Sequence, residues 1–308
     1  MKHIVILLLL CTVNCRPQDN KKIENTAENT EKKQPRDTKE LFYAISLQID
    51  IPFELYLNDI PLAKEYAMSR KVMGIDINPY LLSNGSHRLK ARFLAPTDGS
   101  GETVSNNDLK NSFLKLVSYE KQTEPDMGRV KNYKVLQELP LTIPNIKIPM
   151  IEQEWNIEIT DLPYELEGWR NSQDLRLMDR EELEKEVFGF FEEIKDKLHN
   201  GDVEGYLEMN ENKDAEIRIC TYDEDNLNWY SSSERKNELL NDCQGNMWPI
   251  NPKDYVMKIY ANGKLATIER VEKFKGECLI AETDTDYWYY NFFIHKPIGK
   301  DEFEIIRK

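Results

Sequence analysis

DREELEKEVFGFFEEIKDKLHNGD, residues 179–202, holds the strongest periodic signal in the chain. Leu183, Val187, Phe190, Phe191, Ile194 and Leu198 recur at helical spacing and predict one apolar stripe about five turns long. Asp179 and Glu182 form a D-x-x-E pair that brings carboxylates to the free first-turn amides. Asn200-Gly201 ends the helix, because glycine accepts the left-handed backbone a helix end requires. Asp202 then caps a second, shorter helix carrying Val203, Tyr206 and Leu207.

Downstream the period changes. Glu216–Tyr222, Tyr255–Tyr260, Leu265–Val271, Cys278–Glu282, Tyr287–His295 and Glu302–Arg307 read as strands. Asn262-Gly263 is a hairpin signal between two of them, and 234–243 reads as a helix ended by Gly245. Upstream, from residue 41 to 160, apolar residues alternate with period two: Ile45, Leu47 and Ile49, then Phe53, Leu55 and Leu57, then Leu89, Ala91 and Phe93. Leu114, Leu116, Trp155, Ile157 and Ile159 continue the pattern, with room for one short helix over Ile60–Val72.

The fold expected is therefore α+β overall. An antiparallel β-sandwich of immunoglobulin-like outline spans 41–160, although the Cys–Trp–Cys core of true immunoglobulin domains is missing. An acidic α+β domain spans 161–308, and its first stretch, 161–178, reads as a protease-accessible linker with Pro163, Gly168 and Asn171-Ser172. The helix stripe, Gly201-Asp202 and the aromatic final strands resemble the nuclear-transport-factor-like cone fold. That likeness implies a sheet wrapped round a helix to leave a pocket, which serves catalysis in some members and binding in others.

The N-terminus carries different information. Met1-Lys2-His3 precedes the apolar run 4–13, too short to span a bilayer and laid out as a secretory signal over residues 1–15. Its end, Leu10-Cys11-Thr12-Val13-Asn14-Cys15, resembles the lipobox of bacterial lipoproteins, with Thr12 and Asn14 departing from the preferred residues. The resemblance implies lipidation of Cys15 and a place in the cell envelope, anchored to a membrane. Residues 16–40 are almost wholly polar and form a tether with a mean span of about 28 Å.

Charge and chemistry bound the function. Residues 161–308 carry 34 Asp/Glu against 20 Lys/Arg, while residues 16–160 are nearly balanced. Such acidity argues against nucleic acid as a partner and fits either a solvated surface or a basic protein partner. Metal, P-loop, nucleophile-elbow and dinucleotide signatures are missing, so no cofactor or metal is expected and the activity expected is binding rather than catalysis. A cone-fold enzyme or a spacer subunit of a surface complex remains as an alternative.

The candidate residues follow from these readings. Tyr287, Tyr289, Phe293 and His295 could line a pocket, because the run from Tyr287 to Phe293 is aromatic on both strand faces. Asp223, Glu224 and Asp225 could meet a basic partner. These three and the trio Glu282, Asp284 and Asp286 gather oxygen ligands as a calcium site would, but neither has the position-six glycine or the closing glutamate of an EF-hand loop, and both read as solvated turns. Cys220 and Cys243 could pair in an oxidising compartment, with Cys278 as the other choice. His87, beside Arg88 at a strand start, reads as a surface residue, and His199, at a helix C-terminus, as structural.

Overall fold

The structure, a computed structural model, describes residues 40–95, 102–120, 130–142, 148–223 and 232–307. The leader, Cys15, the tether up to residue 39, Glu224 and Asp225 lie outside the described residues. Fourteen strands in four antiparallel sheets and five helices are described, which makes a strand-rich, mixed α+β molecule.

Eight strands come first. They are β1 (Leu41–Ile49), β2 (Phe53–Leu57), β3 (Ile60–Glu65), β4 (Lys71–Asp76), β5 (Gly85–Leu94), β6 (Phe113–Glu120), β7 (Lys131–Leu139) and β8 (Met150–Ile159). They form two four-stranded sheets, ordered β4-β1-β6-β7 and β3-β2-β5-β8, with the one-turn helix α1 (Asn106–Leu109) between β5 and β6. Ile45, Leu47 and Ile49 of one sheet and Leu55, Leu89 and Phe93 of the other are fully buried in a single cluster. Each such side chain contributes about 1.5–3 kcal/mol, so the period-two pattern fixes which face turns inward.

The short helix expected over Ile60–Val72 is absent; β3 and the start of β4 stand there instead. Asn58 and Asp59 both take left-handed backbone (φ 50° and 69°) and make a two-residue hairpin that pairs Leu57 with Ile60. Consecutive left-handed residues match the twist of the flanking strands, and Asn and Asp adopt them most readily after glycine.

The helices follow: α2 (Arg180–Asn200), α3 (Val203–Met209), α4 (Glu211–Cys220) and α5 (Ser233–Cys243). Then come β9 (Tyr255–Tyr260), β10 (Leu265–Arg270), β11 (Leu279–Glu282), β12 (Tyr287–Tyr290), β13 (Phe293–His295) and β14 (Glu304–Arg307). One sheet runs β14-β13-β10-β9, and β11 and β12 form a separate ribbon. The α2 ends are built as their residues predict. Asp179 accepts from the Glu181 and Glu182 amides, both at 3.0 Å, and Gly201 is left-handed (φ 75°). The left-handed backbone demands glycine there, and a Cβ at Gly201 would also displace the end of the Gln244 side chain, 2.8 Å away. Five stripe residues, Leu183, Val187, Phe191, Ile194 and Leu198, are buried over β9 and β10.

Residues 216–220 of the expected strand Glu216–Tyr222 are helical, in α4. Ile217 and Ile219 alternate as in a strand, but Glu211 and Asp214 stand in the first turn and Arg218 in the last. That is the order the helix dipole favours. Packing against β14 and the turn Asn78–Tyr80 completes the helix.

A third cluster joins the two parts of the chain: Tyr56 and Ile60 meet Trp169, Tyr260, Leu265, Phe293 and Ile306. Polar ties run alongside. Arg307, fully buried, donates to Glu216 Oε2 and to the Pro79 carbonyl, both at 2.6 Å, and lies over the Trp169 ring. Lys64 donates to Glu269 (2.6 Å) and to the Tyr260 hydroxyl (2.6 Å). The stretch 161–178 is not an open linker: Leu162, Leu166, Trp169, Ser172 and Leu175 are buried, and the Leu166 amide donates to the Leu82 carbonyl. Leu162, Leu166 and Trp169, four and three apart, with Leu175 beyond them, pull it inward, which leaves a protease little free backbone.

Candidate functional site: an acidic groove

Glu186, Phe190 and Glu193 fall on one face of α2, four and three residues apart. The α3 end brings Glu208 and Met209 beside them, the α4 start brings Glu211 and Asn212, and the run into β14 brings Asp301, Glu302, Phe303 and Glu304. Together they line an open groove of about 760 Å³ with seven carboxylates. Its floor is apolar, with the Phe190 and Phe303 rings 6.1 Å apart and Met209 next to them.

Two cations answer part of this charge. Lys296 donates to Glu186 at 2.8 Å and lies over the Phe303 ring, and Lys300 pairs with Glu304. Among the described residues no ion pair reaches Glu193, Glu208, Glu211, Asp301 or Glu302. Carboxylates set close together on a low-dielectric floor add their potentials, so the groove concentrates cations from solution.

Behind Glu304 sits His295. Its Nδ1 is hydrogen-bonded to Ser172 Oγ (2.7 Å), and its Nε2, buried without a hydrogen-bond partner, stands 3.9 Å from Glu304 Oε2. Burial holds this imidazole below its ordinary value of 6.5, against the pull of Glu304 and Glu216. Burial also raises Glu304, but the Lys300 and Asn212 hydrogen bonds outweigh it and keep the carboxyl below its usual range. Ser172, His295 and Glu304 share residue types with a hydrolase triad, yet the hydroxyl is the innermost of the three and fully buried. No substrate carbonyl can reach it there.

The residues singled out from the sequence separate. Phe293 and His295 point into the interior, while Tyr287 and Tyr289 are half-buried and join Phe274. The chain changes sheets between them: β12 pairs with β11, and β13 with β10 and β14. Asp223 follows α4, with its amide on the Arg218 carbonyl. Cys220, Cys243 and Cys278 are buried free thiols in this structure, and burial pushes the first two up to about 12. Glu282 is engaged by Trp248 and Tyr287. Among the described residues no group of three His, Cys, Asp or Glu could hold a metal ion, and no helix is long and apolar enough to cross a membrane.

The sequence does not display the groove, because its carboxylates come from three stretches of chain far apart from one another. One signal was present: Phe190 lies at the edge of the α2 stripe and is only partly buried, flanked by Glu186 and Glu193. Compared with family models, with curated proteins and with solved structures, the chain matches none.

Proposed function

We propose that this chain is a binding protein of the cell envelope whose acidic groove captures a basic segment of a protein partner. The observation that carries the reading is the groove itself, seven carboxylates round a Phe190–Phe303 floor. A segment with lysine or arginine beside one apolar anchor would satisfy both the charge and the floor. The first part, with two sheets on one core, acts as an immunoglobulin-like sandwich and spacer; the second is a cone-like α+β domain that carries the groove. A lipid on Cys15 and the polar tether hold the pair near a membrane, in the manner of an immunity or accessory lipoprotein.

The test uses the full chain and a lysine-rich amphipathic peptide. Association should slow as salt rises, since the field reaches only about 8 Å at physiological ionic strength. Combining Glu193→Gln, Glu208→Gln and Glu302→Gln should lower the on-rate about tenfold. An unchanged on-rate, or an affinity indifferent to salt, removes the proposal. Anchoring is tested separately: Cys15→Ala should abolish fatty-acid labelling and move the protein from the detergent to the aqueous phase. A Cys15→Ala product that stays labelled rules out Cys15 as the anchor.

A further inference from the structure

Beside the join, the face of β2 and β5 turned away from the sandwich core meets β9 and the loop between β10 and β11 without closing on them. An open cleft of about 360 Å³ remains between the two parts of the chain. Domain interfaces are a preferred place for ligand sites. Six Lys and Arg side chains line this cleft against three carboxylates, in a chain whose net charge is −14. Its sign is therefore opposite to that of the acidic groove, with which it has no residue in common.

The three carboxylates are all answered by neighbours. Glu54 accepts the Tyr56 hydroxyl at 2.6 Å and the Tyr66 hydroxyl at 2.9 Å. Burial raises this carboxyl, but those hydrogen bonds and the charges of Lys64 and Arg92 outweigh it and hold Glu54 below its usual range. Glu269 accepts from Lys64 and from the Tyr260 hydroxyl, and Asp59 accepts the Asn262 amide at 3.1 Å. Both guanidinium groups are engaged as well. Arg92 Nε donates to Glu152, and Arg270 Nε donates to the Lys273 carbonyl at 2.8 Å.

Three ammonium groups are left. Lys90 of β5, Lys258 of β9 and Lys275 of the β10–β11 loop reach the cleft from separate elements, and among the described residues no ion pair reaches any of them. Glu154, opposite Lys90 across the strand pair, lies 3.9 Å from Arg88 instead. Lys90 stands 5.0 Å from the Tyr56 ring centroid and Lys275 stands 4.1 Å from that of Tyr66. Two rings whose hydroxyls are fixed on Glu54 thus hold two of the three ammonium groups in place. Like charges round one space add their potentials, so the cleft concentrates anions.

We infer that this cleft binds a phosphate-bearing ligand, with Lys90, Lys258 and Lys275 as its anion contacts. A phosphate monoester carries roughly two negative charges on three oxygens, so point charges arriving from several sides suit it. A carboxylate presents two oxygens along one edge, the match of a guanidinium fork, and both forks here are already engaged. Val256, Ile259 and Val271 add an apolar wall for the body that carries the phosphate. The ligand chemistry is a phosphate monoester, carried by a lipid head or by a soluble molecule.

The test titrates the full chain with glycerol 3-phosphate in a calorimeter at low salt. Binding should saturate, and acetate should not compete. Lys90→Gln, Lys258→Gln and Lys275→Gln should each weaken it about fivefold, the ratio one partly exposed charge pair represents. Lys185→Gln, on α2 and outside the cleft, should leave it unchanged. Tighter binding of dihexanoyl phosphatidic acid than of glycerol 3-phosphate supports the lipid source; equal or weaker binding supports the soluble one. Titration without saturation, competition by acetate, or cleft variants that bind as well as Lys185→Gln overturn the inference. The result does not bear on the groove, because none of these lysines lines it.

Discussion

The join between the two parts of the molecule and the acidic groove are both rich in charge, yet they behave as opposites. At the join two largely buried carboxylates each have a cation in contact: Glu216 with Arg307, and Glu269 with Lys64, at side-chain exposures of 18% and 9%. In the groove most carboxylates have no ion pair among the described residues and face water. Buried charge must be answered locally or it destabilises the fold, whereas exposed surplus charge costs little and projects outward. The same residue types thus act as fasteners in one place and as a field source in the other.

The largest expected effect breaks the first half of this comparison. Arg307→Met strands the Pro79 carbonyl and leaves Glu216 with the Gly168 amide alone, and should cost about 3 kcal/mol, toward the lower end for a broken buried pair because Glu216 keeps that amide and some solvent. Urea unfolding measures it, and the double variant with Glu216→Met should lose less than Arg307→Met alone. A loss below about 1 kcal/mol would mean the apolar cluster holds the join unaided.

A smaller effect sits where fold and groove meet. Because His295 is held below its ordinary 6.5, the unfolded chain takes up the proton first as pH falls. Stability from this group is complete above about 6.5 and declines as pH drops from there toward the folded value. Glu304, also held low, acts in the same direction, but its contribution is lost only at lower pH, as pH falls below its ordinary 4.5. His295→Gln should flatten the loss between about pH 6.5 and 5. An unchanged slope between them would assign the dependence elsewhere, for example to His87, which burial also holds low.

The smallest effect tests the second half. The Glu193, Glu208 and Glu302 neutralisations that slow a basic peptide should change folding stability by no more than about 0.5 kcal/mol each. A stability gain well beyond that would mean the groove carboxylates strain the fold, and the division between fastener and field source would fail.

Much of this was decided by the sequence alone. The α2 stripe with Asp179 and Gly201 at its ends, the alternation through β1, β2, β5 and β8, and the hairpin at Asn262-Gly263 are local patterns, and backbone sterics and face burial act on them directly. The tertiary structure decided the rest. Ile217 and Ile219 alternate, but packing on β14 and Asn78–Tyr80 makes the segment helical. Tyr287 to His295 is one aromatic run, but a change of sheet partner sends Phe293 and His295 inward and leaves Tyr287 and Tyr289 beside Phe274. The groove draws its carboxylates from three stretches far apart in sequence, 186–193, 208–211 and 301–304. Composition sets how much charge the second part must carry; only the packing of distant segments sets where it is answered and where it is left facing water.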